Sequence, residues 1–156
     1  MAGEPVPLTP NGLARLNAEL EYLRTVKRPE IAERIHEAWE NDAARDNVPS
    51  YDYAKNDQAM VEGRILELEY LIRNAQIIDS AGQTDIAQLG STVGLESADG
   101  TKRSFTIVGS AEAKPGDGRI SNESPVGRAL IGKRVGDNVE VMVPAGIQRF
   151  KIASIG

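Results

Sequence analysis

The chain contains no cysteine, which removes disulfide frameworks, thiolate zinc sites and cysteine nucleophiles from consideration together. Aromatic residues make up only 4% of its 156 residues, so broad stacking platforms and deep aromatic pockets are not expected. One histidine, His36, is present, and it lies inside a helical pattern where a solvent-facing position is the simplest reading. No apolar run approaches the roughly 18 residues of a membrane span. The first residues, Met1, Ala2, Gly3, Glu4 and Pro5, lack the basic and apolar regions of an export signal. A soluble, cytoplasmic protein is expected. Basic charge is also short: 18 Lys and Arg against 23 Asp and Glu give a formal charge of −5. That balance argues against tight, sequence-independent binding to nucleic acid backbones and favours action through a protein partner.

What the sequence does contain is helical periodicity, followed by strand patterns. Residues 9–75 read as helix. In the second half of this stretch Ala54, Gln58, Val61, Ile65, Leu68, Ile72 and Ala75 follow alternating steps of four and three, the seam of two helices lying side by side. Leu13, Leu16, Leu20 and Leu23 form a matching stripe in the first half, which Ile31, Ile35 and Ala38 continue one residue out of phase. Pro29 lies at the slip, so a kink or a fresh helix start is expected near Arg28 and Pro29. Thr9 and Pro10 suit the cap and first turn of the arm. Residues 41–50 lose the periodicity and contain Asn47 and Pro49, the mark of a hairpin turn. A helix over 51–74 would extend roughly 36 Å at about 1.5 Å per residue.

Beyond the helices the expected strands are 91–96 and 102–108 around Asp99-Gly100, then 138–143 and 148–154 around Pro144-Ala145-Gly146. Ser124-Pro125 reads as a cap followed by proline at the first helical position, with Gly132 as the stop. The expected organisation is a helical hairpin over 1–76, a linker over 77–89 and a β-rich domain over 90–156. The fold class is α+β: a coiled-coil hairpin plus a small antiparallel sheet with a short helix. Gly63 falls inside the second helix, where glycine costs about 1 kcal/mol relative to alanine; it reads equally as a tolerated defect or as a point of close helix approach.

Three runs then carry a family resemblance. Residues 23–31, from Leu23 through Arg28-Pro29-Glu30-Ile31, resemble the run that precedes the hairpin tip in the Gre transcript cleavage factors. Glu62-Gly63-Arg64-Ile65 is a second match. The third covers Ser124-Pro125-Val126-Gly127-Arg128-Ala129-Leu130-Ile131-Gly132-Lys133, followed by Gly136-Asp137 and Val139-Glu140-Val141. The resemblance implies a hairpin that enters the secondary channel of bacterial RNA polymerase and a second domain, similar to FK506-binding proteins, that docks on the channel rim. In the family, acidic tip residues help the polymerase hold a second magnesium ion and orient a water beside the nascent RNA 3′ end. Magnesium suits carboxylates with retained waters, and a two-metal centre activates the attacking water.

The family tip reads glycine, aspartate, leucine, any residue, glutamate, asparagine, then a tyrosine. Here Asp42-Ala43-Ala44-Arg45-Asp46-Asn47 takes that place, with Tyr51 after a turn one residue longer. Asp46 stands for the glutamate and Asn47 for the asparagine, while the family aspartate falls on Ala43 and Asp42 lies one residue earlier. The resemblance thus implies Asp42, Asp46, Asn47 and Tyr51 as tip residues, Asp46 and Asp42 as ligands shared with polymerase-bound magnesium, and Ser124 and Pro125 at the docking surface. No catalytic site or cofactor of the chain's own is implied, and a monomer is expected. Three other functions were open: a homologue that occupies the channel without stimulating cleavage, a prolyl isomerase, and a coiled-coil adaptor. The isomerase needs an aromatic floor, and beyond the linker only Phe105 and Phe150 are available. Trp39, beside the turn, can pack across the hairpin or face a partner, and Ser124-Pro125 is explained by helix capping alone.

Overall fold

The computed structural model describes residues 3–42, 49–78 and 85–156. Two compact units are formed, one of residues 13–74 and one of residues 1–12 with 75–156. The division therefore differs from the expected one: the amino-terminal segment joins the β-rich unit, and so does the chain from residue 75 onward.

The helical unit consists of α1 (Pro10–Tyr22), a π-helical turn (Leu23–Lys27), α2 (Arg28–Asp42) and α3 (Pro49–Arg73). Its seam buries Leu16, Leu20, Ile31 and Ala38 from the first arm and Ala54, Ile65 and Leu68 from the second. The half-buried Gln58, Val61 and Ile72 complete the second arm's stripe. The kink or fresh helix start expected near Arg28 and Pro29 is met in part: α2 begins at Arg28 directly after the π turn, with no break at Pro29. Helix continues through it, and the one-residue slip is absorbed upstream by the π turn, in which Arg28 N–H donates to the Leu23 carbonyl five residues back. A π turn accommodates one extra residue, so the stripe changes phase while the helix remains continuous. Pro29 is tolerated as the second residue of α2.

In the other unit, β1 (Val6–Leu8) runs parallel to β2 (Ala75–Ile77), with Val6 opposite Ala75. Ala75, expected as the last seam position of the helix, is instead the first residue of this strand. The main sheet has the order β5-β4-β3-β7-β6, built from β3 (Thr92–Ser97), β4 (Lys102–Val108), β5 (Arg119–Ser121), β6 (Asn138–Val143) and β7 (Gly146–Ile155). Both expected hairpins form: β3 with β4 and β6 with β7, each antiparallel. The sheet is nevertheless mixed rather than antiparallel, because β5 pairs parallel with β4. The connection from β4 passes through two short 3-10 turns, Ser110–Glu112 and Pro115–Asp117, and so re-enters in the same direction.

The core of this unit is a cluster of Ala87, Val93, Leu95, Ile107, Ile120, Leu130, Val139, Val141, Phe150, Ile152 and Ile155. Alternation explains most of it, as Val139 and Val141 point inward while Glu140 and Met142 stay exposed. Ala87, placed in the linker by sequence, is buried and exchanges backbone hydrogen bonds with Lys133 and Gly132, both at 2.8 Å.

Candidate functional site

The end of the hairpin is framed by two aromatic rings. Trp39 in the last turns of α2 and Tyr51 in the first turn of α3 lie with ring centroids 5.6 Å apart, tilted by 52°. Trp39 stays 62% exposed, so the pair closes the hairpin without burying its indole. Ala32, Ile35 and His36 line a shallow groove beside the rings. Asp42 is the last residue of α2. Asp46 and Asn47, like Ala43, lie outside the described residues. Tyr51 is thus the tip residue placed with its neighbour, and that neighbour is Trp39.

Behind the tip, charged side chains tie one arm to the other. Arg34 Nη2 reaches Asp57 Oδ2 at 2.9 Å. Arg28 makes a two-pronged contact with Glu62, both bonds 2.8 Å. Arg24 contacts Glu69 at 2.5 Å, and Arg64 holds Glu19 through bonds of 2.7 and 2.9 Å. Each contact crosses between the arms; all are partly exposed, so they favour the observed register modestly alongside the apolar seam. The hydrogen bonds from Arg64 and Arg28 hold the Glu19 and Glu62 carboxyls below the usual carboxylate range, against a smaller opposing effect of desolvation. Arg24 and Arg28 belong to the run preceding the tip, and Glu62 and Arg64 to the second run. Two stretches that resembled the family by sequence therefore meet as salt-bridge partners.

The third run builds α4 (Pro125–Leu130). Ser124 Oγ accepts from Gly127 N at 3.1 Å and donates to the Ser121 carbonyl at 2.6 Å, so one hydroxyl caps the helix and fastens it to β5. Pro125 occupies the first turn and is exposed. Gly127 is required sterically: a Cβ there would meet the Ser121 carbonyl oxygen at 2.0 Å. Leu130 enters the core while Arg128 and Ile131 remain exposed. The run thus combines a buried anchor with an exposed edge that includes Pro125.

One contact escaped the sequence reading. Glu112 is 6% exposed and accepts from Thr9 N–H at 2.8 Å and Thr9 Oγ at 2.6 Å. Thr9 Oγ in turn accepts from Gly12 N at 3.0 Å. The expected cap at Thr9 is present, reinforced by a carboxylate at the positive end of the helix. Neither partner signals the other across a sequence separation of 103.

Phe150 is buried at the edge of the sheet core, and Phe105 packs against that core. No group of three or more His, Asp or Glu side chains is arranged to hold a metal among the described residues. These features define a two-part protein, a helical hairpin with an aromatic clasp near its end and a small mixed-sheet unit with a capped surface helix.

Comparison with known proteins supplies the family. The profile described as "Transcription elongation factor, N-terminal" matches residues 6–77, and "Transcription elongation factor, GreA/GreB, C-term" matches 82–156. The chain belongs to the GreA/GreB family. It is 51% identical to transcription elongation factor GreA of Bacillus licheniformis and 48% identical to that of Bacillus subtilis, in each case over 99% of both chains. Among solved structures, GreA factor homolog 1 of Thermus thermophilus is 32% identical, with 98% of this chain and 99% of that one aligned at a TM-score of 0.46.

Proposed function

We propose that this protein is a transcription elongation factor that binds RNA polymerase through its secondary channel and stimulates the polymerase's own cleavage of backtracked nascent RNA. The observation that carries this reading is family membership across both units, at about half identity over the full length of the curated relatives. The hairpin suits the task physically. At about 1.5 Å per residue, the 25 residues of α3 extend roughly 37 Å, and the ion pairs between the arms modestly favour one register. Near its end Trp39 and Tyr51 meet, and the reading is of an accessory factor that lends groups to an enzyme already holding the RNA.

The division of labour follows from chemistry. Magnesium enters as the polymerase's ion; when bound there it activates water and stabilises the leaving oxygen. This chain's part is to bring Asp46, Asn47, Tyr51 and Asp42 to that centre as sources of ligand oxygen and hydrogen bonds. Ser124 and Pro125 contribute to docking through the exposed edge of α4. The nascent RNA 3′ end is contacted only indirectly.

Ala43 favours a second reading. With alanine where the family tip carries aspartate, one carboxylate is missing and Asp46 is a methylene shorter than glutamate. A factor altered in this way can occupy the channel without stimulating cleavage. A cleavage assay on backtracked polymerase complexes separates the two. Stimulation that is lost in Asp46→Asn and raised by Ala43→Asp, both at unchanged polymerase affinity, supports the first reading. No stimulation by the wild type at any magnesium concentration, with binding intact, establishes the second.

A further inference from the structure

Toward its turn the hairpin has few side chains left to hold one arm against the other. Among the described residues, the ion pair between the arms nearest the turn is Arg34 with Asp57 at 2.9 Å. Beyond it the seam is carried by the buried Ala38 and Ala54, whose side chains are single methyl groups. One larger contact remains, the tilted ring pair of Trp39 and Tyr51 at 5.6 Å. Burial does not account for it. Trp39 is the chain's one tryptophan, and at 62% exposure most of its indole adds nothing to an apolar core. Tyr51 is the more enclosed partner. It is half-buried and shares a groove with Ala32, Ile35, His36 and Trp39, which occupy positions i, i+3, i+4 and i+7 of α2 and so form one stripe. Among the described residues no hydrogen bond fixes the Tyr51 hydroxyl. The direction of the phenol ring therefore rests on this stripe and on the indole.

We propose that Trp39 is a positioning residue for cleavage stimulation: it acts through Tyr51, holding the phenol so that its hydroxyl reaches the polymerase's reacting centre, and itself touches neither RNA nor metal. The proposal rests on the cleavage reading, in which Tyr51 is a tip residue. A side chain in the first turn of a helix chooses among a few staggered rotamers, and a neighbouring ring selects one of them. A ring pair of this kind favours the paired orientation by about 2- to 10-fold, which sets the scale of the effect. Displacing a participating group by about 1 Å is enough to lower a rate. A residue that only stabilised the hairpin would show itself in melting and in affinity for polymerase. Trp39 should show itself in the maximal rate.

Two measurements on the full chain test this role. The first needs no polymerase: with one tryptophan present, the long-wavelength band of the near-ultraviolet circular dichroism belongs to Trp39. That band should collapse in Tyr51→Ala and persist in Tyr51→Phe, with helix content unchanged in both. A band indifferent to Tyr51→Ala overturns the proposal. The second is a double-mutant cycle on stimulated cleavage in backtracked polymerase complexes. Trp39→Ala should lower the maximal stimulated rate by about 2- to 10-fold, while the factor concentration at half-maximum stays within about twofold. Trp39→Phe, which keeps a ring, should restore most of the rate. In a Tyr51→Phe background, which keeps the ring pair but lacks the hydroxyl, Trp39→Ala should cost nothing further. Equal losses in the two backgrounds mean that the indole meets polymerase or RNA directly, and the proposal falls. It falls too if the loss lies only in the half-maximal concentration. A wild type that binds polymerase but stimulates no cleavage ends the cleavage reading and this role of Trp39 with it, whereas additive losses with stimulation intact end the role alone.

Discussion

The hairpin and the mixed-sheet unit are held together by different means. The sheet unit has a contiguous apolar core to which five strands and α4 contribute. Its ionic contacts, such as Arg149 with Glu140 at 3.0 Å, are peripheral. The hairpin has a narrow apolar seam, flanked by partly exposed ion pairs between the arms. A core tolerates salt and pH but is sensitive to lost volume. A ladder of ion pairs tolerates local changes in shape but depends on its carboxylates remaining charged. The sheet unit thus rests on its core, and the hairpin on a narrow seam with ion pairs at its edges.

The largest expected effect lies in the sheet unit. Leu130 is fully buried, anchoring α4 to the core, and Leu130→Ala should destabilise this unit by about 2–5 kcal/mol. Thermal unfolding followed by near-ultraviolet and far-ultraviolet circular dichroism should show the β-rich transition shifted down while the helical signal persists. Simultaneous loss of both signals at the lower temperature would show that the two units share one cooperative transition.

Acid should reverse the contrast. The Glu19 and Glu62 carboxyls are held below their ordinary value by hydrogen bonds from Arg64 and Arg28. A carboxyl lowered in the folded state contributes stability that is fully present above its unfolded value, about 4.3, and is lost as pH falls through the lower folded value. The hairpin's melting temperature should therefore fall by a few degrees between pH 6 and pH 3, and added salt should lower it modestly at pH 6 by screening exposed pairs. Asp99 in the β3–β4 turn is also held low, to about 2, by hydrogen bonds from Ser97 and Thr101. It is a single exposed turn residue, so the sheet unit should show the smaller acid response. An equal acid response in both units would contradict the contrast.

How far the sequence reveals this protein depends on the range of each interaction. The seam of α3 was legible because a side chain's face follows from its position on one helix. The turns at Asp99-Gly100 and Pro144-Ala145-Gly146 were legible because their chemistry is local; Gly100 and Gly146 both adopt positive φ. The parallel pairings of β1 with β2 and β5 with β4 were not legible, since β1, β2 and β5 are each three residues long, too short for a pattern to stand out. The Thr9 and Glu112 contact was hidden for the same reason. At the candidate site, the salt-bridge partners were all inside the runs or on the arms, yet sequence did not pair them. Charges on exposed helix faces are common, and only the packed register decides which of them meet.

The smallest expected effect concerns the slip itself, where a kink or fresh helix start is expected near Arg28 and Pro29 and a π turn leading into α2 at Arg28 is found. If that turn exists because the first arm carries one residue more than its seam requires, removing one residue from it should be nearly silent. Deleting Val26, which is 47% exposed, leaves Leu13, Leu16, Leu20 and Leu23 followed without interruption by the positions of Arg28, Ile31, Ile35 and Ala38, in steps of four and three. The shortened segment can then form ordinary α-helix from α1 into α2, and Ile31 still meets the seam. Stability should change by no more than about 1 kcal/mol, the scale of losing or gaining one well-formed helical hydrogen bond. Deleting Ala32 instead is the control. It also removes one exposed residue, but it lies beyond the π turn and turns Ile35 and Ala38 about 100° away from the seam. The two deletions should have unequal effects on the helical melting transition, with Ala32 far the worse. Equal damage from both would mean that the π turn does not carry the change of phase, and that Pro29 or its neighbours set the course of the arm.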